Sequence, residues 1–163
     1  AAYRTLPAEV LLDSICQTTG VPEKFNGWPL GYRAIQVWDN RMPSYFFTIF
    51  GRPVRATVCE CERSGEPSIT QALHLLNAPE IAEKISHRHG FARQLAESKR
   101  TDDEIIDEIY LSAFARFPTE DEKNLMREAF KTPNPAGPDA TRRAAAEDVL
   151  WAVMNSKEFV FNH

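Results

Sequence analysis

No stretch of this chain approaches the roughly 18 uninterrupted apolar residues of a membrane-spanning helix, so no such span is expected. Cations are not in excess either. Lys and Arg number 19 against 23 Asp and Glu, a net charge of −4, and the strongly basic face of a nucleic-acid binder is missing. Cysteine is scarce at three residues, and none stands in the Cys-x-x-Cys-His spacing that attaches haem. Gly-rich phosphate loops, a nucleophile elbow and zincin motifs are absent, which removes the common signatures of nucleotide, acyl-transfer and metalloprotease chemistry. The first residues show no basic region followed by an apolar run. A signal peptide is therefore not expected in them, and export of a longer precursor stays open.

What the chain does hold is an ordinary globular balance. Of its 163 residues 43% are hydrophobic and 26% charged, which argues for one folded domain over residues 1–163 and against disorder. Gly and Pro are unevenly spread: residues 20–67 hold five of seven Gly and five of eleven Pro. Before that stretch, Pro7 and the helically spaced Val10, Leu11, Leu12, Ile15 and Cys16 predict a helix that stops at Gly20. Within it, Ala34–Trp38 and Val54–Cys61 read as short strands, and Ser44–Phe50 as a short helix closed by Gly51. Eight of the 17 aromatics lie in residues 20–67, so the segment is expected to be an ordered arm packed onto a body at 68–163.

The body reads as helical. An apolar face over Ile69, Ala72, Leu73, Leu75 and Leu76 ends at Asn77 and Pro79, and a second helix runs from Pro79 to Lys99 with a bend or split at Gly90. Thr101 with Glu104, and Thr119 with Glu122, have the form of capping boxes, which start helices ending near Arg116 and following Leu125, Met126, Ala129 and Phe130. A Pro- and Gly-rich loop at 133–138 precedes a last helix from about Asp139 to Met154. Asn155-Ser156-Lys157-Glu158-Phe159 echoes Asn77-Ala78-Pro79-Glu80-Ile81, in which Asn would close one helix in the left-handed conformation and the next would restart. The fold class is mainly α, about six helices carrying the irregular, aromatic-rich arm.

Chemistry-bearing residues are few. Cys59 and Cys61, with Cys16, could be packed thiols, one disulfide or a redox pair, and two thiolates do not complete a zinc shell. His87 and His89 fall inside the predicted Pro79–Lys99 helix, where positions two apart diverge, and read as solvent-facing. His74 reads as a hydrogen-bonded helix residue, and His163 as a fraying end. Glu60, Glu62 and Glu66 cluster in sequence, which by itself does not set two carboxylates across a sugar. The acidic run Asp102–Glu108 reads as a solvated face in the first turns of a helix. No metal or cofactor is expected. The arm is the best candidate surface, because Arg33, Arg41, Arg52, Arg55 and Arg63 interleave with Trp28, Tyr32, Trp38 and Tyr45, a mixture found at protein interfaces and on anion- or sugar-binding faces. The competing reading has the arginines lying over the rings and pairing with Glu60 or Glu62.

The strings Pro43-Ser44-Tyr45-Phe46, Phe50-Gly51-Arg52-Pro53, Cys59-Glu60-Cys61-Glu62-Arg63 and Gln71-Ala72-Leu73-His74-Leu75-Leu76-Asn77 resemble the planctomycete-specific PSD domain of unknown function. Leu6-Pro7-Ala8-Glu9 and the stretch from Leu150-Trp151 to Phe159 fit the same pattern. The resemblance implies a C-terminal part of a large exported protein that often carries a cytochrome-c-like module, hence an extracytoplasmic location and upstream domains as partners; it brings no catalytic residues. The leading expectation is a non-enzymatic interaction module docking on those domains or on an extracellular polysaccharide. The alternative is a share in a composite active site on polysaccharide through Glu60, Glu62 and His74, or a redox-linked role for Cys59 and Cys61.

Overall fold

In the computed structural model, residues 4–37, 46–47 and 78–162 are described. The chain opens with a two-residue strand β1 (Arg4–Thr5) and helix α1 (Ala8–Thr19), with Pro7 at its cap and Gly20 closing it in the left-handed conformation at φ 69°. The Gly20 N–H bonds back to the last turn of α1, a role that glycine fills without the Cβ clash of other residues. Among the described residues of the arm, Ala34–Gln36 form a 3-10 turn and Phe46 and Phe47 are helical, while the rest of 21–37 has no regular structure. The strand expected at Ala34–Trp38 is thus corrected over its first three residues. The cause is a carboxylate on α1, described below. The strand expected at Val54–Cys61, the helix over Ile69–Leu76, the rest of Ser44–Phe50, and His163 lie outside the described residues.

From Pro79 the helices follow closely: α2 (Pro79–Ile85), α3 (Phe91–Glu97), α4 (Asp102–Phe114), α5 (Glu120–Lys131), α6 (Pro138–Met154) and α7 (Lys157–Val160), then β2 (Phe161–Asn162). The expected helix from Pro79 to Lys99 is two helices. Gly90 sits where a Cβ would meet the His87 carbonyl oxygen at 3.0 Å and that of Lys84 at 3.3 Å, so the chain folds onto itself there and α3 restarts at Phe91. His87 and His89 are exposed as expected, but they sit in this connection and not inside a helix.

Both capping boxes form: Thr101 and Thr119 each accept from the amide three residues on, while Glu104 and Glu122 accept from the cap amide. Helix α4 stops at Phe114, two residues short of Arg116, with Ala115 in the left-handed region at φ 55°. A β-carbon is unfavourable there by about 1–2 kcal/mol. Ala115→Gly is therefore expected to raise the melting temperature, with a gain of up to about 1 kcal/mol in a denaturant titration. At the Asn155 restart, φ is −91°, not left-handed; the Asn155 side-chain Nδ2 instead donates to the Trp151 carbonyl at 2.8 Å, and Ser156 caps α7.

Packing joins these pieces through a contiguous apolar cluster. Leu11 and Ile15 of α1, Ile105, Ile106 and Ile109 of α4, and Val149, Leu150, Val153 and Met154 of α6 are almost fully inaccessible to water. Phe25, Ala34, Val37 and Phe47 of the arm enter the same cluster. Helix α5 has no fully buried residue; it lays Met126, Ala129 and Phe130 against the core. The acidic start of α4 is not simply a solvated face, since Asp103 pairs with Arg127, Asp107 with Lys123 and Asp102 with Arg142, which stitch α4 to α5 and α6. Strand β1 pairs antiparallel with β2, Thr5 opposite Phe161, so the two ends of the described chain meet.

Candidate functional site

The described part of the arm is fastened to the body at three places. At its start, the Lys84 ammonium of α2 donates to the carbonyls of Val21 and Pro22 at 3.2 and 3.4 Å and pairs with Glu23 at 3.2 Å. Lys84 is buried, so its charge is held by partners that replace water. Next, Phe25 goes into the core and stacks with Phe47, ring planes 5° apart and centroids 6.4 Å apart. Last, Asp13 reaches from α1 to the 3-10 turn, where its carboxylate accepts from the Ala34 amide at 2.5 Å and the Ile35 amide at 3.2 Å. It acts as an N-cap supplied from 21 residues away. The Gln36 side chain closes the same turn by accepting from the Arg33 amide at 2.9 Å.

Between the second and third fastenings the chain loops outward. Gly27 and Gly31 take positive φ of 84° and 95° in open space, which lets the loop double back. The result is an outward projection with Leu30 73%, Ile35 58% and Tyr32 39% exposed. Tyr32 leans on Trp28 at 5.1 Å between ring centroids, and Trp28 packs against the core. The Arg33 guanidinium lies 3.5 Å from the Asp13 carboxylate with its side chain still 64% exposed.

Under the projection, between it and α1, lies a cleft of about 390 Å³ lined by Asp13, Cys16, Gln17, Glu23, Tyr32 and Arg33 among others. Three residues singled out from the sequence, Cys16, Tyr32 and Arg33, are thereby brought together. Cys16 carries a free thiol. Burial pushes that thiol above its usual range, with Lys84 opposing, so at neutral pH it is protonated and a poor nucleophile. Trp38, Arg41, Tyr45, Arg52, Arg55, Arg63, Cys59 and Cys61 lie outside the described residues, as do Glu60, Glu62 and His74. Among the described residues no group of three or more His, Cys, Asp and Glu could hold a metal ion. Asp13, Leu30 and Ile35 were not foreseen; an acidic residue amid the apolar face of α1 was the available signal for the first.

A second polar feature ties the far end of the body. Arg116 donates to both carboxylate oxygens of Glu158 at 2.7 and 2.6 Å and to both of Glu122 at 2.9 and 2.8 Å, with its guanidinium over the Tyr110 and Phe114 rings. The Arg116 hydrogen bonds, followed by those of the Thr119 cap, hold the Glu122 carboxyl down at about 2. A carboxyl depressed in the folded state stabilises above its unfolded value and loses that contribution as pH falls toward the folded one. Thermal stability is expected to drop between about pH 5 and pH 2, and Glu122→Gln to flatten part of that drop. A variant with an unchanged acid limb would contradict the assignment.

The family model PSD1, described as a protein of unknown function (DUF1553), matches residues 1–130, and the chain belongs to that family. No curated protein and no solved structure matches it. Among the described residues no helix is long and apolar enough to cross a membrane.

Proposed function

We propose that this member of the PSD1 family is a non-catalytic interaction module whose arm projection docks on a protein surface. The observation that carries this reading is the exposure of Leu30, Tyr32 and Ile35 beside Arg33, on a loop that runs into a turn whose Ala34 and Ile35 amides are tied to Asp13. Aliphatic, aromatic and arginine side chains on a preorganised base are what a protein interface uses, because little side-chain or backbone entropy remains to be lost on binding. As parts of the same proposal, the chain is a C-terminal unit of a large exported planctomycete protein. It works outside the cytoplasm, and its partner is an upstream domain of its parent, a cytochrome-c-like one among the choices. The support for these is the string resemblance described above.

Titrating the chain with the upstream portion of its parent protein tests the proposal. Leu30→Glu with Ile35→Glu, both at exposed positions, is expected to leave the melting temperature within about 2 °C and to weaken binding by about tenfold or more. Undiminished binding by this double variant would contradict docking through the projection. Binding only to acidic polysaccharides, in parallel titrations, would move the reading to an extracellular polymer.

A further inference from the structure

On another face of α1 from the arm contacts lies a cleft of about 500 Å³, between α1, the end of α4 and the joined chain ends, with Leu6, Gln17, Thr18, Ser112, Glu158 and Phe159 in its walls. Thr18 is 2% exposed, yet its hydroxyl makes no hydrogen bond among the described residues, and the residue opens onto this cleft. Its neighbours behave differently. On the same helix the Ser14 hydroxyl donates to the Val10 carbonyl at 2.9 Å and the Thr19 hydroxyl to the Ile15 carbonyl at 2.7 Å, the usual way for a helical hydroxyl to satisfy itself. Opening onto the cleft, the Thr18 hydroxyl is left for water there, which a ligand hydroxyl can replace. The Ser112 hydroxyl and Gln17 amide in the same walls also have no protein partner among the described residues.

We infer that this cleft binds a neutral, hydroxyl-rich ligand, a sugar unit, with Thr18, Ser112 and Gln17 as its hydrogen-bonding contacts. Hydroxyls and an amide both donate and accept, as sugar hydroxyls do. The carbonyls of Ser112, Ala113 and Phe114, past the last backbone bond of α4 to Leu111, add acceptors at the same end. Charge does not select an ion. The one carboxylate in the walls, Glu158, already receives two hydrogen bonds from Arg116. Leu6 and Phe114, both only partly buried, offer apolar contact to the C–H face of a ring. An extended peptide fits less well, since the backbone amides of the α1 and α4 walls are spent inside helices and the adjoining strand β1 has two residues. The cleft volume is within the range of small-molecule sites. This inference does not depend on the arm's docking role.

Calorimetric and NMR titrations of the whole chain with cellobiose and with maltose test it. Saturable binding of either at millimolar concentrations is expected, with shifts at Thr18 and Ser112. Thr18→Val removes the hydroxyl while keeping the shape, so it is expected to weaken binding about tenfold and to leave the melting temperature unchanged or higher. Tighter binding of a hexasaccharide than of its disaccharide would assign a polymer as the source, and equal binding a free or terminal unit. Loss of thermal stability in Thr18→Val would show the hydroxyl to be already satisfied, and would overturn the inference. So would a lack of binding to both disaccharides at tens of millimolar, or binding of a capped tetra-alanine peptide in their place.

Discussion

A chain ended after Lys131 is expected not to fold cooperatively, although it retains all of the family-matched residues 1–130. Helices α6 and α7 place Val149, Leu150, Val153, Met154, Phe159 and Val160 in the shared cluster. At about 1.5–3 kcal/mol for each buried side chain, their loss removes roughly 9–18 kcal/mol, an upper value because unfolded chains already bury some surface. A domain of this size is typically stable by only about 5–15 kcal/mol. The lost helices would also leave Ile105, Ile106 and Ile109 of α4 uncovered. Thermal unfolding followed by circular dichroism should show no sharp transition, together with binding of a hydrophobic dye. A truncated chain that melts cooperatively near the parent temperature would show that α1 to α5 hold a core without α6.

Asp13→Ala should be the most damaging single polar substitution in the arm contacts, at about 2–3 kcal/mol. It strips the charged acceptor from two amides, at Ala34 and Ile35, of which the first is buried. Hydrogen bonds to a charged group contribute about 1.5–3 kcal/mol, and an orphaned buried donor costs about 1–3 kcal/mol. Water can reach part of the turn, so the effects do not add in full. Asp13→Asn keeps one acceptor oxygen and should recover about half. Chemical denaturation of the three proteins measures this directly. Equal stability of the alanine variant and the parent would mean that the turn is not held from α1.

These two expectations separate what could be read from the residues from what could not. Thr101 and Thr119 announce their helices because both halves of a capping box lie within three residues, and Gly20 marks the end of α1 for an equally local reason. Non-local contacts left no such trace. The turn at Ala34–Gln36 reads as a strand by alternation, and only a carboxylate one helix earlier makes it a turn. Likewise the run from Pro79 to Lys99 is continuous in helical pattern, and its break follows from how closely Gly90 approaches the His87 and Lys84 carbonyls. In the candidate site, Tyr32 and Arg33 stood out by type, whereas Leu30 and Ile35 are ordinary aliphatic residues whose importance lies in being left in water.

Amide hydrogen exchange at Ala34 and Ile35 probes most directly whether the projection is a preformed surface. Both amides are predicted to exchange slowly in the native chain, on the scale of the central turns of α1, and to become fast in Asp13→Ala while the α4 amides stay protected. Exchange at the rates of an unstructured peptide in the native chain would mean that Leu30, Tyr32 and Ile35 have no fixed base, and the docking account would fail.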